Sequence, residues 1–133
     1  MFKKLSLELG GKNPTIVFAD CDFEKAVEGA ARAGFANQGE ICLCGERLLV
    51  HQDIHDEVVA GLCARASELV IGDPLEPETQ FGALISSDHR DRVESMIQRA
   101  RDEGGEIVHG GKRPADLPDR CRDGFFLEPT VIT

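Results

Sequence analysis

The sequence predicts an α/β fold, a mostly parallel sheet with helices packed on it, and three observations carry that prediction. Short apolar runs rich in β-formers alternate along the chain with segments whose apolar residues recur at steps of three and four. Gly, Pro, Asn and Asp clusters separate the two kinds of segment. Strands that alternate with helices favour right-handed crossovers, which set consecutive strands parallel.

The elements follow in order. Leu5-Ser6-Leu7-Glu8-Leu9 alternates strictly, as a strand with three leucines on one face does, and Gly10-Gly11 ends it. Thr15 to Ala19 reads as a strand buried on both faces. Phe23, Ala26, Val27, Ala30, Ala31 and Phe35 then mark a helix, with Asp20 or Asp22 placed to cap it. Asn37-Gln38-Gly39 is turn chemistry, and Arg47 to His51 is the next strand. A second helix begins near Asp53, carries Ile54, Val58, Leu62, Ala66 and Leu69 on one stripe, and stops near Gly72-Asp73-Pro74. Leu75 to Ser86 is a loop. A third helix starts at Ser86 or Ser87, buries Val93, Met96, Ile97 and Ala100, and ends at Gly104-Gly105. Glu106 to His109 and Phe125 to Thr133, the latter interrupted by Pro129, close the chain as strands around an exposed loop from Gly110 to Asp123.

Composition narrows the function classes. The chain has 133 residues, one domain's worth, and its 41% hydrophobic content is that of a globular protein. Fifteen basic residues stand against 24 acidic ones, a net charge of -9, which argues against nucleic acid or an anionic membrane as the partner. No apolar run approaches the roughly 18 residues of a membrane-spanning helix. Met1-Phe2-Lys3-Lys4 has the charge of a leader, but Glu8 and Gly10-Gly11 interrupt any apolar core behind it, so a cytoplasmic location is expected. Five Cys, an odd count, point to reduced thiols and not to a disulfide scaffold.

Several motifs fail on inspection. Gly10-Gly11-Lys12 lacks the spacing and the following Ser or Thr of a phosphate loop, and no G-x-G-x-x-G occurs. His51 and His55 are four apart, but Gln52 stands where a zinc-protease helix needs Glu. Cys42-x-Cys44 has no second pair to close a tetrahedral site, so no metal is expected. Cys63, near the stripe of the second helix, reads as a small buried hydrophobe. Cys21 and Cys121 fall in turns.

Two places are less well explained by packing. Glu8 is a carboxylate inside an apolar strand, beside a Gly-Gly turn that lets another group approach; it reads as a solvent-facing strand residue or as a group aimed at a ligand. Cys42 lies in the turn between a helix and a strand, as an inert half-buried thiol or as a nucleophile.

Taken together they carry a resemblance. Glu8-Leu9-Gly10-Gly11-Lys12-Asn13-Pro14, followed by Phe35-Ala36-Asn37-Gln38-Gly39-Glu40-Ile41-Cys42, resembles the two signature stretches of the NAD(P)-dependent aldehyde dehydrogenase superfamily. A third stretch, Gly72-Asp73-Pro74 through Thr79, Gly82, Leu84 and Ile85-Ser86, is similar to a loop of that family. The run from Asn37 to Cys44, with Ala83 to Ser86 and Pro129 to Thr133, looks most like the branch acting on 2-aminomuconic and 2-hydroxymuconic semialdehydes.

The resemblance implies roles. Cys42 would be the nucleophile, forming a thiohemiacetal and then a thioester, and Glu8 the base that activates the hydrolytic water. The Cys42 backbone N–H would help hold the tetrahedral oxyanion. Leu9 would place its backbone near the nicotinamide ribose of NAD or NADP. Ile41 and Leu43 would line the pocket of a small-molecule aldehyde, while Lys12, Asn37 and Arg47 would be architectural. The family usually has Gln where this chain has Glu40, and a Glu40 carboxylate near the thiol would raise its pKa.

A family enzyme is several times longer, so the resemblance implies that residues 1–133 are a partial catalytic domain. The dinucleotide-binding domain that would bind most of the cofactor and the C-terminal part lie outside the resemblance, and the chain alone is expected to be inactive. The full-length enzyme would be a homo-oligomer. Three other readings are a CoA-acylating semialdehyde dehydrogenase, whose members generally lack the Glu8 carboxylate, a non-catalytic binding module, and, ranked last, a thiol-based metal or redox module.

Overall fold

The computed structural model describes residues 2–133; Met1, the first residue of the stretch weighed above as a leader, lies outside them. The elements are β1 (Pro14–Val17), α1 (Phe23–Phe35), β2 (Arg47–Val50), α2 (His55–Glu68), α3 (Ser87–Asp102), β3 (Ile107–His109) and β4 (Val131–Ile132). β1 and β2 pair in parallel, Thr15 opposite Leu48 and Val17 opposite Val50, with α1 in the crossover. This is the βαβ unit of the predicted α/β class.

Sequence explains how the unit closes. The Asp22 side chain accepts a hydrogen bond from the Lys25 N–H and starts α1, which buries Val27 and Ala30. α2 answers with Val58, Leu62 and Ala66, and Gly61 lets it approach α1: a Cβ there would lie 3.0 Å from Val27. Val17, Ala30, Val58 and Leu62 form the core, with Phe23, Leu48 and Val50 packed around it. Each fully buried Val or Leu contributes about 1.5–3 kcal/mol. Ser86 caps α3 by accepting from the His89 N–H at 3.1 Å.

Five expectations change. Leu5 to Leu9 is not a strand: no strand among the described residues pairs with it, so its alternation has no face to bury and Leu5, Leu7 and Leu9 are exposed. β1 is not buried on both faces, because the helices cover one side of a two-stranded sheet; Val17 is buried, whereas Ile16, Phe18 and, on β2, Leu49 are exposed. The second strand pair, β3 with β4, is antiparallel, since no long helix intervenes to carry the chain back for parallel pairing. From Phe125 to Pro129 the chain is not strand, although Phe126 and Leu127 are buried. In α3, Ile97 is buried as expected, but Met96 is about half exposed and lines a cleft.

All five cysteines are free, Cys44 and Cys121 buried and Cys63 half-buried with its pKa raised by burial. Among the described residues no helix is long and apolar enough to cross a membrane.

Candidate active site

Two backbone segments meet at the N-terminal ends of β1 and β2, one from Glu8 to Asn13 and the other from Asn37 to Arg47. Their junction is built from the main chain. The Asn13 N–H donates to the Cys44 carbonyl at 3.1 Å, and its side-chain amide donates to the carbonyls of Cys42, at 2.8 Å, and Cys44, at 3.2 Å. Arg47 returns the tie, donating its guanidinium to the Lys12 carbonyl at 2.7 Å, and Lys12 pairs with Glu46. Gly11 is required by closeness, because a Cβ at that position would stand 2.6 Å from the Cys42 carbonyl oxygen.

The turn that leads to Cys42 is strained. Asn37, Gln38 and Gly39 are consecutive left-handed residues, with φ of 49°, 57° and 74°. For the two that carry a Cβ this conformation costs roughly 1–2 kcal/mol each, and it persists only where neighbours hold it. With the Gln38 amide oriented to satisfy its partners, its oxygen accepts from the Gly82 N–H at 3.0 Å. Glu40, the next residue, donates its N–H to the Asn37 carbonyl and pairs through its carboxylate with His89 Nε2 of α3 at 3.1 Å.

Cys42 is exposed at the end of this turn, and its thiol pKa is raised. The chief cause is a hydrogen bond to the Glu8 carboxylate, followed by repulsion from that carboxylate's charge; the Cys42 backbone N–H beside the sulfur works the other way. Glu8 also accepts from the Gly10 N–H at 2.7 Å, which bends the carboxylate back over the Gly-Gly turn. Glu40 is not among the groups that raise the thiol pKa, since its carboxylate is directed to His89.

The other expected site residues fall as follows. Glu8 and Cys42 line one cleft of about 970 Å³, whose apolar walls include Leu48, Leu62, Met96 and Ile97. Ile41 lines it too. Leu43 does not: it lies 82% exposed on the outer side, in a shallow hollow with Arg32 and Cys44. Leu9 is exposed between Glu8 and Gly10, which both line the cleft. Glu8 itself is exposed, so the apolar strand predicted around it is not formed. His51 and His55 each lie beside an adjoining carboxylate, Asp53 at 3.7 Å and Asp56 at 2.9 Å. The sequence reading missed Asn13 and His89. Asn13 sits inside a quoted signature, but nothing local in the sequence marks His89 as a neighbour of Glu40.

Comparison with known proteins bears on this geometry. Residues 1–133 match the family described as "Aldehyde dehydrogenase family". The chain is 50% identical over 131 residues to 2-hydroxymuconic semialdehyde dehydrogenase of Pseudomonas sp. (strain CF600), covering 98% of this chain and 27% of that protein. It is 46% identical over 131 residues to betaine aldehyde dehydrogenase of Bacillus subtilis (strain 168), covering 98% and 26%. The crystal structure of PnpE, from Pseudomonas sp. WBC-3 and solved in complex with nicotinamide adenine dinucleotide, superposes with a TM-score of 0.89 at 47% identity, over 98% of this chain and 26% of that one. The chain thus spans about a quarter of the length of the relatives it matches.

Proposed function

Because this chain belongs to the aldehyde dehydrogenase family, we propose that it is a segment of a catalytic domain that oxidises an aldehyde of the muconic semialdehyde type to a carboxylate. Cys42 is the nucleophile and Glu8 the base. The observation that carries the reading is that the Glu8 carboxylate and the Cys42 thiol line one cleft, with the carboxylate near enough to raise the thiol pKa. A thiol nucleophile and a carboxylate base facing one cleft are the pair that thioester formation and hydrolysis require.

The residues divide the work. The exposed Cys42 thiol gives its proton to solvent, and the thiolate sulfur adds to the aldehyde carbon. The tetrahedral oxygen that results is negative, and the Cys42 backbone N–H, which also lowers the thiol pKa, is the donor that would receive it. Collapse to a thioester releases a hydride from the former aldehyde carbon. Bound NAD, or NADP, supplies the acceptor for that hydride. Among this chain's residues Leu9 fits the cofactor, because it is exposed beside the cleft-lining Glu8 and Gly10. Glu8, exposed beside the cleft, then deprotonates the water that hydrolyses the thioester. The relative at 50% identity favours a muconic-type substrate, and the solved relative's dinucleotide favours NAD.

A hybrid enzyme tests the assignment: residues 2–133 replace the corresponding stretch of the Pseudomonas 2-hydroxymuconic semialdehyde dehydrogenase. The hybrid is expected to form NADH with semialdehyde and water and to form no acyl-CoA when CoA is added. Cys42→Ala in it should abolish turnover, and retained turnover would overturn the reading. The 133-residue chain alone is expected to form no NADH.

A further inference from the structure

Glu40 places a carboxylate two positions before the thiol, at the end of a turn with three successive left-handed residues. A negative charge free to swing toward the sulfur would oppose the thiolate. It is not free: it meets His89 Nε2 at 3.1 Å. His89 is itself fixed, its N–H held by the Ser86 cap at 3.1 Å in the first turn of α3. The same stretch of chain supports the turn a second time, through the Gly82 N–H on Gln38. Segment 82–89 is therefore a brace for the strained turn, and His89 is its contact nearest Cys42 in sequence.

We propose that His89 is a positioning residue for the Cys42 turn, holding the Glu40 carboxylate against α3 and away from the nucleophile. The inference rests on Cys42 being the nucleophile, as proposed above. Both partners are partly exposed, with side chains 37% and 39% accessible, so the pair adds little to stability. Its effect is to decide where one charge is kept. The other charged groups lining this cleft are Glu8, Lys12, Glu46, His55, Arg92 and Glu128. Of these Glu8 already acts on the thiol, Lys12 and Glu46 neutralise each other, and His55 lies beside Asp56. Neither Arg92 nor Glu128 is among the groups that shift the thiol. Glu40 is thus the charge in the nucleophile turn that one contact keeps from the sulfur.

The test is the rate of Cys42 alkylation by iodoacetamide against pH, read peptide by peptide on the 133-residue chain. His89→Ala should slow alkylation about two- to fivefold near pH 8 and move the profile to higher pH, because the released carboxylate disfavours the thiolate. His89→Gln, which can still donate to Glu40, should keep the wild-type profile. His89→Ala with Glu40→Gln should return to wild type, since no charge remains to be released. A brace of purely structural kind would leave the double variant as slow as the single one. That result, or an unshifted His89→Ala profile, overturns the proposal. Retained turnover by Cys42→Ala in the hybrid enzyme removes the nucleophile reading separately, whatever the alkylation profiles show.

Discussion

The Asn13 side-chain amide bridges two carbonyls of the Cys42 turn, reaching Cys42 at 2.8 Å and Cys44 at 3.2 Å. One side chain thereby joins the segment that carries Glu8 to the segment that carries Cys42. Asn13→Ala removes both side-chain contacts and takes the donor from the Cys42 carbonyl, while the Cys44 carbonyl keeps the residue-13 N–H. The expected loss is about 1 kcal/mol in urea unfolding, with a larger mark on the site: Cys42 alkylation should lose its dependence on Glu8. An Asn13→Ala chain whose Cys42 still responds to Glu8→Gln as wild type does would show that the bridge does not hold the two segments together.

Gly11 makes the same junction from the other side. A Cβ there would meet the Cys42 carbonyl oxygen at 2.6 Å, and backbone does not yield as a side-chain end does. Gly11→Ala is therefore expected to separate the segments, lowering the thermal midpoint and speeding proteolysis between residues 5 and 12. Gly29→Ala is the control, since a Cβ at Gly29 meets nothing within 4 Å and lies on a helix, where Ala is preferred by about 1 kcal/mol. Equal effects of the two substitutions would refute the close-approach argument.

How much of this was legible in the sequence depends on the range of the interaction. α1 is found where its apolar spacing and Asp22 predicted it, because a helix satisfies its own backbone and needs only one partner face. The capped start of α3 was legible for the same reason. Leu5 to Leu9 carried an equally clear period, yet a strand exists only when a neighbour takes its hydrogen bonds, and its own sequence cannot state whether one does. Ile16 and Phe18 were misread similarly: β-formers tell of strand, not of how many faces will be covered. At the site, Glu8 and Cys42 stood out as residues that packing did not explain, and the structure brings them together. Leu43 was named for its place beside the thiol, but the residue that follows Cys42 points away from the cleft. The Glu40 pairing with His89 depends on a helix far along the chain, and no local pattern encodes it.

Val58 is fully buried at the centre of the core formed with Val17, Ala30 and Leu62. Val58→Ala removes two methyl groups from a place where α1, α2 and β1 hold one another, so relaxation into the gap is limited. A loss of about 2 kcal/mol is expected in denaturant unfolding. Val59→Ala, on the cleft-lining side of the same helix, should cost well under half of that. Equal losses would mean that the core is not organised around Val58.

Arg113 links the long loop to α3. Its guanidinium meets both oxygens of Glu94, at 2.6 and 2.7 Å, and Asp91 at 3.4 Å, and it lowers the Glu94 pKa, chiefly through the hydrogen bonds. A carboxyl whose pKa is depressed by folding adds stability above its unfolded pKa and loses it as pH falls through the folded one. The pair is largely solvated, so the effect is small. Wild type should exceed Arg113→Ala in urea midpoint at pH 7, and the gap should close toward pH 3. A gap that persists unchanged at pH 3 would assign the Arg113 effect to packing.

Glu8 has two opposed effects on Cys42, and one substitution separates them. Its carboxylate raises the thiol pKa, first by hydrogen bonding and then by charge. Glu8→Gln removes the charge, so the thiolate should form at lower pH and Cys42 should alkylate faster near neutrality. If Glu8 were only an inhibitor of the thiol, the hybrid enzyme would gain activity. In the proposed role of base for thioester hydrolysis its loss acts after the hydride has left, so the expected outcome is a first-turnover burst of NADH with steady-state turnover lowered about 10²–10⁴-fold. The burst measures acylation, which Glu8→Gln leaves intact, and the slow phase measures hydrolysis, which it removes. An alkylation profile that does not move would mean that the carboxylate does not act on the sulfur in solution, and an unchanged steady-state rate would mean that some other group activates the water.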